Sequence, residues 1–209
     1  MLKTWPKRWL PSNSLALIKV AIIGAGPLGR WLALAAARAG YHVLLEDVMP
    51  ANLHHAREAV RQRLGVAALT NVEFVSTIED AVRDADLAID CVPDELESKL
   101  EILWLLDRMA PPRTVLVTPT VRLSLMDLAA CTYRPAKCVA VVADARDLVV
   151  RELPSQGDTE PSAGEETTGR ISELLLRTTP QTTAETVALV EEFWWRVGLK
   201  PRFEPEEVS

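Results

Sequence analysis

Three glycines, Gly24, Gly26 and Gly29, are spaced as G-x-G-x-x-G in the run Gly24-Ala25-Gly26-Pro27-Leu28-Gly29, and an acid, Asp47, follows 18 residues after the last of them. Each position suits one task in holding a dinucleotide. Gly24 permits a tight turn, Gly26 lets the backbone approach a pyrophosphate, and Gly29 lets the next helix lie close to the preceding strand. The helix N-terminus then turns its unpaired N–H groups toward the phosphate charge. Asp47 can accept both hydroxyls of an adenosine ribose and repels a 2′-phosphate, so the expected ligand is NAD rather than NADP. A glycine-rich turn in an unrelated α/β domain is the plainer alternative. Context argues against it: the motif lies between an apolar strand and an apolar helix, and Asp47 closes a second apolar run, His42 to Leu45.

The rest of the chain supplies the scaffold that such a site needs. Strand-like runs fall at 18–23, 42–46, 72–75, 87–91, 115–118 and 138–142, with helical patterns at 27–39, 51–64, 78–84, 95–109 and 124–131 between them. That alternation predicts an α/β fold of the Rossmann type, a doubly wound and mostly parallel sheet covered on both faces. A further strand at 171–176, a helix from Thr183 to Val197 and a short strand near 201–204 bring the sheet to about eight strands. Boundary residues agree: Thr77 with Asp80 and Ser124 with Asp127 read as helix caps, Gly40 and Gly198 follow helices, and Pro111-Pro112 stop one. We read residues 1–17 as a flexible N-terminal extension and 18–209 as one domain. Its polar, acidic stretch at 154–169 has almost no aliphatic residue and is expected to be a mobile loop.

Composition excludes several classes. The net charge is −6, and no Lys/Arg cluster follows Lys3, Lys7 and Arg8, so no nucleic-acid surface is expected. No stretch is long and apolar enough to span a bilayer. Cys91, Cys131 and Cys138 are odd in number and lack metal-ligand spacing, which predicts reduced, small core residues, a cytoplasmic setting and no metal site.

Longer motifs extend the reading. The run Gly24-Ala25-Gly26-Pro27-Leu28-Gly29-Arg30 resembles G-A-G-x-M-G-x, and Ala85-Asp86-Leu87-Ala88-Ile89-Asp90-Cys91-Val92-Pro93-Asp94 resembles A-D-L-V-I-E-A-V-P-E. Leu96 and Lys99 continue an L-x-x-K, Met109-Ala110-Pro111-Pro112 fits L-A-P-P, Arg134-Pro135 fits an R-P, and Thr183-Ala184-Glu185-Thr186-Val187 fits S-P-E-T-V. In these motifs the chain resembles the N-terminal, NAD-binding domain of the 3-hydroxyacyl-CoA dehydrogenase family. The resemblance implies that Val92, Pro93 and Thr120 also border the cofactor, and that Asp94 and Lys99 contact its nicotinamide half. For Asp94 the alternative is a helix N-cap, and for Lys99 a solvated helix face.

The catalytic positions of that family are not matched. Its N-T-S-S-L reads Pro119-Thr120-Val121-Arg122-Leu123 here, so Val121 stands where a serine touches substrate and cofactor. Its H-F-F-N-P, whose histidine removes the hydroxyl proton during hydride transfer, reads Val142-Ala143-Asp144-Ala145-Arg146, which puts Val142 and Ala145 at the histidine and asparagine positions. Asp144 is a weak substitute base. Glu152 and Glu173 are the two candidates for the supporting glutamate. All three histidines, His42, His54 and His55, come early in the chain, far from those strands. Only about 24 residues separate Asp47 from Val72, too few for the family's CoA-holding helical hairpin, and its helical C-terminal domain is expected to be missing. Trp31 replaces a common glycine, and Trp194-Trp195 reads as core on one side and a partner patch on the other. Two functions follow. One is a degenerate NAD(H)-binding module, a pseudoenzyme acting as a homodimer or with a partner chain in place of that helical domain. The other is an NAD-dependent oxidoreductase acting on a 3-hydroxyacyl-CoA or another hydroxy or keto substrate.

Overall fold

A computed structural model describes residues 18–143 and 173–206. The N-terminal extension, the stretch at 154–169, Asp144, Ala145 and Glu152 lie outside the described residues. The β-branched and leucine-rich runs form eight strands: β1 (Lys19–Ile23), β2 (His42–Glu46), β3 (Val72–Val75), β4 (Leu87–Asp90), β5 (Val115–Pro119), β6 (Cys138–Val141), β7 (Glu173–Thr178) and β8 (Lys200–Pro205). Among the described residues six α-helices lie between them: α1 (Pro27–Arg38), α2 (Pro50–Leu64), α3 (Ile78–Val82), α4 (Leu96–Met109), α5 (Leu125–Ala130) and α6 (Ala184–Arg196). The two expected caps are present, Thr77 and Ser124 accepting from the amides of Asp80 and Asp127, and Thr183 caps α6 by accepting from the Thr186 amide.

All eight strands form one sheet in the order β3-β2-β1-β4-β5-β6-β7-β8. Strands β1 to β6 run parallel, β7 is antiparallel to β6, and β8 is parallel to β7. The order reverses between β1 and β4, and at such a switch point the loops leaving neighbouring strands part and leave a crevice at their carboxyl ends. Strand periodicity sends alternate residues to opposite faces. Val20 and Ile22 belong to a buried cluster with residues of α1, α2 and α6, whereas Ala21 and Ile23 belong to one with residues of α3, α4 and α5. Trp31 is buried in the first of these cores, so it covers apolar surface without interrupting α1. Of the tryptophan pair, Trp194 is fully buried and Trp195 is partly exposed.

Candidate functional site: a cleft at the switch point

A cleft of about 950 Å³ opens over the carboxyl ends of β1, β2, β4 and β5, reaching Ala143 just after β6. Its floor is the glycine turn. Gly24 has φ +99°, a left-handed conformation that favours glycine, and a Cβ there would lie 3.3 Å from the Cys91 carbonyl oxygen. At Gly29 a Cβ would stand only 1.8 Å from the Gly24 carbonyl oxygen, so this glycine allows helix and strand to touch. Gly26 differs from both, since nothing lies within 4 Å of the place a Cβ would take. It caps α1 with no side-chain hydrogen bond, Pro27 follows, and the first turn has no acid. The space above Gly26 and the uncapped N–H groups beneath it fit a pyrophosphate.

Asp47 closes one end. It is 8% exposed, and its Oδ2 accepts from the Ala25 amide at 2.8 Å and the Asn52 amide group at 3.0 Å, while Oδ1 accepts from the Met49 amide at 2.7 Å. A carboxylate offers about four acceptor positions, so three are taken and one stays open on Oδ1. One acceptor position, on Oδ1, is thus free for a ribose hydroxyl, and Asn52 holds a position on Oδ2. Ala25 itself is buried and serves through its amide.

Asp94 lines the other end and does not cap α4, whose N-cap residue is Glu95. Thr120 donates to its Oδ1 at 2.5 Å and the Val121 amide to its Oδ2 at 3.1 Å, while Arg122 donates to its backbone carbonyl at 2.9 Å. These bonds clamp the loop after β4 to the loop after β5. Thr120 is 2% exposed and held in that clamp outside the cleft lining, whereas Val121, Val92 and Pro93 border the cleft.

Lys99 is where neither expectation placed it. It is 1% exposed, does not line the cleft, and donates to both oxygens of the fully buried Asp90, at 3.0 and 3.1 Å. Thr118 on β5 and the Val92 amide fill the remaining acceptor positions of that carboxylate, at 2.7 and 3.1 Å. Desolvation pushes the Asp90 carboxyl up, opposed first by the Lys99 charge and then by these hydrogen bonds. A lysine turned inward on α4 thus fixes the turn from which Val92, Pro93 and Asp94 reach the cleft.

Several lining residues were not found by sequence reasoning. Glu46, the last residue of β2, is 6% exposed and borders the cleft beside Asp47. An acid ending an otherwise apolar strand was the available signal. Cys91 also borders it, so it is not simply a core residue, and burial pushes its thiol well above the usual range. Cys138 is buried as expected, but Cys131 is exposed, which corrects its assignment to the core. His54 and His55 are exposed, and His42 contacts Glu73 at 2.9 Å, away from the cleft.

At the far side, β6 and β7 pair with Ala140 opposite Arg177 and Val141 opposite Leu176. The next step brings Val142 to Leu175, with the Val142 amide donating to the Leu175 carbonyl at 2.9 Å. Glu173 lies two residues further along and accepts from Lys200 of β8 at 2.7 Å.

Strand order, glycine turn and cleft together define a Rossmann-type NAD-binding domain. The chain belongs to the 3-hydroxyacyl-CoA dehydrogenase family, whose NAD binding domain model matches residues 19–142. Among curated relatives, a 5-formyl-3-hydroxy-2-methylpyridine 4-carboxylate 5-dehydrogenase of Mesorhizobium japonicum is 32% identical over 132 residues, covering 58% of this chain and 43% of its own. A 3-hydroxybutyryl-CoA dehydrogenase of Bradyrhizobium diazoefficiens is 28% identical over 136 residues, covering 59% of this chain and 46% of its own. The crystal structure of a 3-hydroxyacyl-CoA dehydrogenase of Archaeoglobus fulgidus superimposes with a TM-score of 0.70 at 26% identity, over 91% of this chain and 57% of that one. The match thus spans less than half the length of these curated relatives. Among the described residues no helix is long and apolar enough to cross a membrane, and no group of acids, cysteines and histidines could hold a metal.

Proposed function

We propose that the chain is an NAD(H)-binding module of this family that holds the dinucleotide without the family's usual acid–base chemistry. The observation that carries this is the Val142–Leu175 pair, since the motif resemblance sets position 142 against the histidine that removes the substrate's hydroxyl proton in this family. Here neither the residue nor its cross-strand neighbour can take up a proton. Val121, where the family has a serine, is 42% exposed at the cleft and offers no hydroxyl. Gly26 and the α1 N-terminus hold the pyrophosphate, the open position on Asp47 takes one ribose hydroxyl, and the Asp94–Thr120 clamp shapes the nicotinamide end beside Val92 and Pro93. Bound NAD supplies a hydride acceptor, and NADH a donor.

A second reading, an oxidoreductase acting on a hydroxy or keto substrate, is favoured by the dehydrogenase names of the relatives. It requires a base from Asp144 or from a second chain. Single-turnover NADH oxidation with acetoacetyl-CoA separates the two, alongside NADH binding followed by calorimetry. The module binds NADH and turns over at least about 10²–10⁴-fold below a complete family enzyme, the usual share of general acid–base catalysis. Ready turnover overturns the non-catalytic reading.

A further inference from the structure

Two carboxyl groups, that of Glu46 at the end of β2 and that of Asp47 just after it, border the same end of the cleft, and both residues are more than nine-tenths buried. Asp47 is secured by three donors, two of them backbone amides. Glu46 is not: among the described residues no cation pairs with it. A ribose diol brings two hydroxyl donors to this corner, and Asp47 has one acceptor position left. The next acceptor along the wall is Glu46. An ionised Glu46 would be a second negative charge against Asp47 and would face a cleft built for a pyrophosphate, with no cation to offset it. A neutral carboxyl avoids that repulsion, and it can accept through its carbonyl and donate through its hydroxyl. Adenosine offers both kinds of partner, hydroxyl and amino donors and ring acceptors.

Resting on the reading of this cleft as the NAD(H) site, we propose that Glu46 is a second adenosine-binding residue, which presents a neutral carboxyl beside the ionised Asp47, so that binding takes up a proton at alkaline pH. The environment supports it. Burial pushes the Glu46 carboxyl up to about 7, the Asp47 charge adds to this, and the Gly24 amide opposes it. From the elements packed around it, β1 brings Ile23 and α3 brings Ile78 to the cleft, Cys91 follows from the end of β4, and the Asp90–Lys99 pair is sealed between β4 and α4 without lining the cleft. Asp47 is therefore the charged group that acts on it.

NADH binding followed by calorimetry at pH 6 and pH 8, in buffers of differing ionisation enthalpy, tests the proposal. If only the neutral form binds, the Kd of the natural chain rises about tenfold between these values, because the competent fraction falls with each unit above 7. At pH 8 close to one proton is taken up per NADH. Glu46→Gln keeps shape and neutrality, so its Kd should be pH-independent and near the natural chain's value at pH 6, with no proton uptake. Glu46→Leu, a second neutral variant that cannot hydrogen-bond, should bind more weakly at both values and equally at both. Binding by the natural chain with no pH dependence, or tightening toward pH 8, overturns the proposal while leaving the cofactor site intact. If the folded chain binds no NADH at either pH, the cofactor reading fails and this proposal with it.

Discussion

Replacing Lys99 with Met would leave the Asp90 carboxyl sealed from water with no cation beside it. The methionine side chain fills nearly the same volume, so the perturbation is electrical more than steric. Two hydrogen bonds, at 3.0 and 3.1 Å, disappear with the compensating charge, and the Thr118 hydroxyl and Val92 amide stay behind. Breaking a buried pair from one side costs about 3–5 kcal/mol. With a urea m-value of about 2 kcal/mol/M, the unfolding midpoint should fall by about 1.5–2.5 M. The pH dependence has a definite sign. Desolvation already holds the Asp90 carboxyl up in the natural chain, and without Lys99, the largest opposing influence, the folded state keeps that proton to still higher pH, so above the ordinary value of about 3.9 it binds more protons than the unfolded chain. Stability of Lys99→Met should then fall as pH rises from about 4, making its deficit larger at pH 8 than at pH 5. Adding Asp90→Asn removes the orphaned carboxyl while keeping an acceptor for Thr118, and should recover most of the loss. Urea unfolding of the natural chain and both variants at the two pH values is the assay. A deficit below about 1 kcal/mol for Lys99→Met, or no recovery in the double variant, would refute the account of a sealed ion pair.

Asp47→Ala should weaken NADH binding about 10–100-fold in a fluorescence titration, since a charge-assisted hydrogen bond and the Ala25 amide anchor are lost together, and the natural chain should prefer NADH to NADPH. Gly29→Ala places a Cβ 1.8 Å from the Gly24 carbonyl oxygen, so α1 must shift; stability should drop by about 3 kcal/mol or more, read as a lower Tm, with NADH binding lost alongside. Glu46→Gln should alter stability against pH: Glu46's folded value near 7 exceeds its unfolded value, so the natural chain loses stability between about pH 4.5 and 7, and urea unfolding should show a flatter profile for the variant.

Local pattern determined much of this protein. Apolar runs of four to six residues and the caps at Thr77, Ser124 and Thr183 depend on neighbours in sequence, so the alternating elements and the sheet they build could be read from the chain alone. The glycine turn was equally legible, because its left-handed φ and its close contact are demanded within a few residues. What escaped depended on distance in space. Lys99 sits where a helical pattern allows a solvated face, and only the fold brings Asp90 of β4 and Thr118 of β5 to meet it. Asp94 has the spacing of a cap, yet it finds its partners 26 and 27 residues away across the carboxyl edge of the sheet. At position 142 only the antiparallel register decides the neighbour, setting Leu175 beside it while Glu173 meets Lys200 two residues further along. The cleft's wall was decided the same way: Glu46 reads as the end of a strand, and it becomes part of a site because the chain turns back over β1 and α3 closes beside it. Helix and strand signals act through adjacent residues, whereas the burial of a charge is set by whatever the tertiary fold places around it.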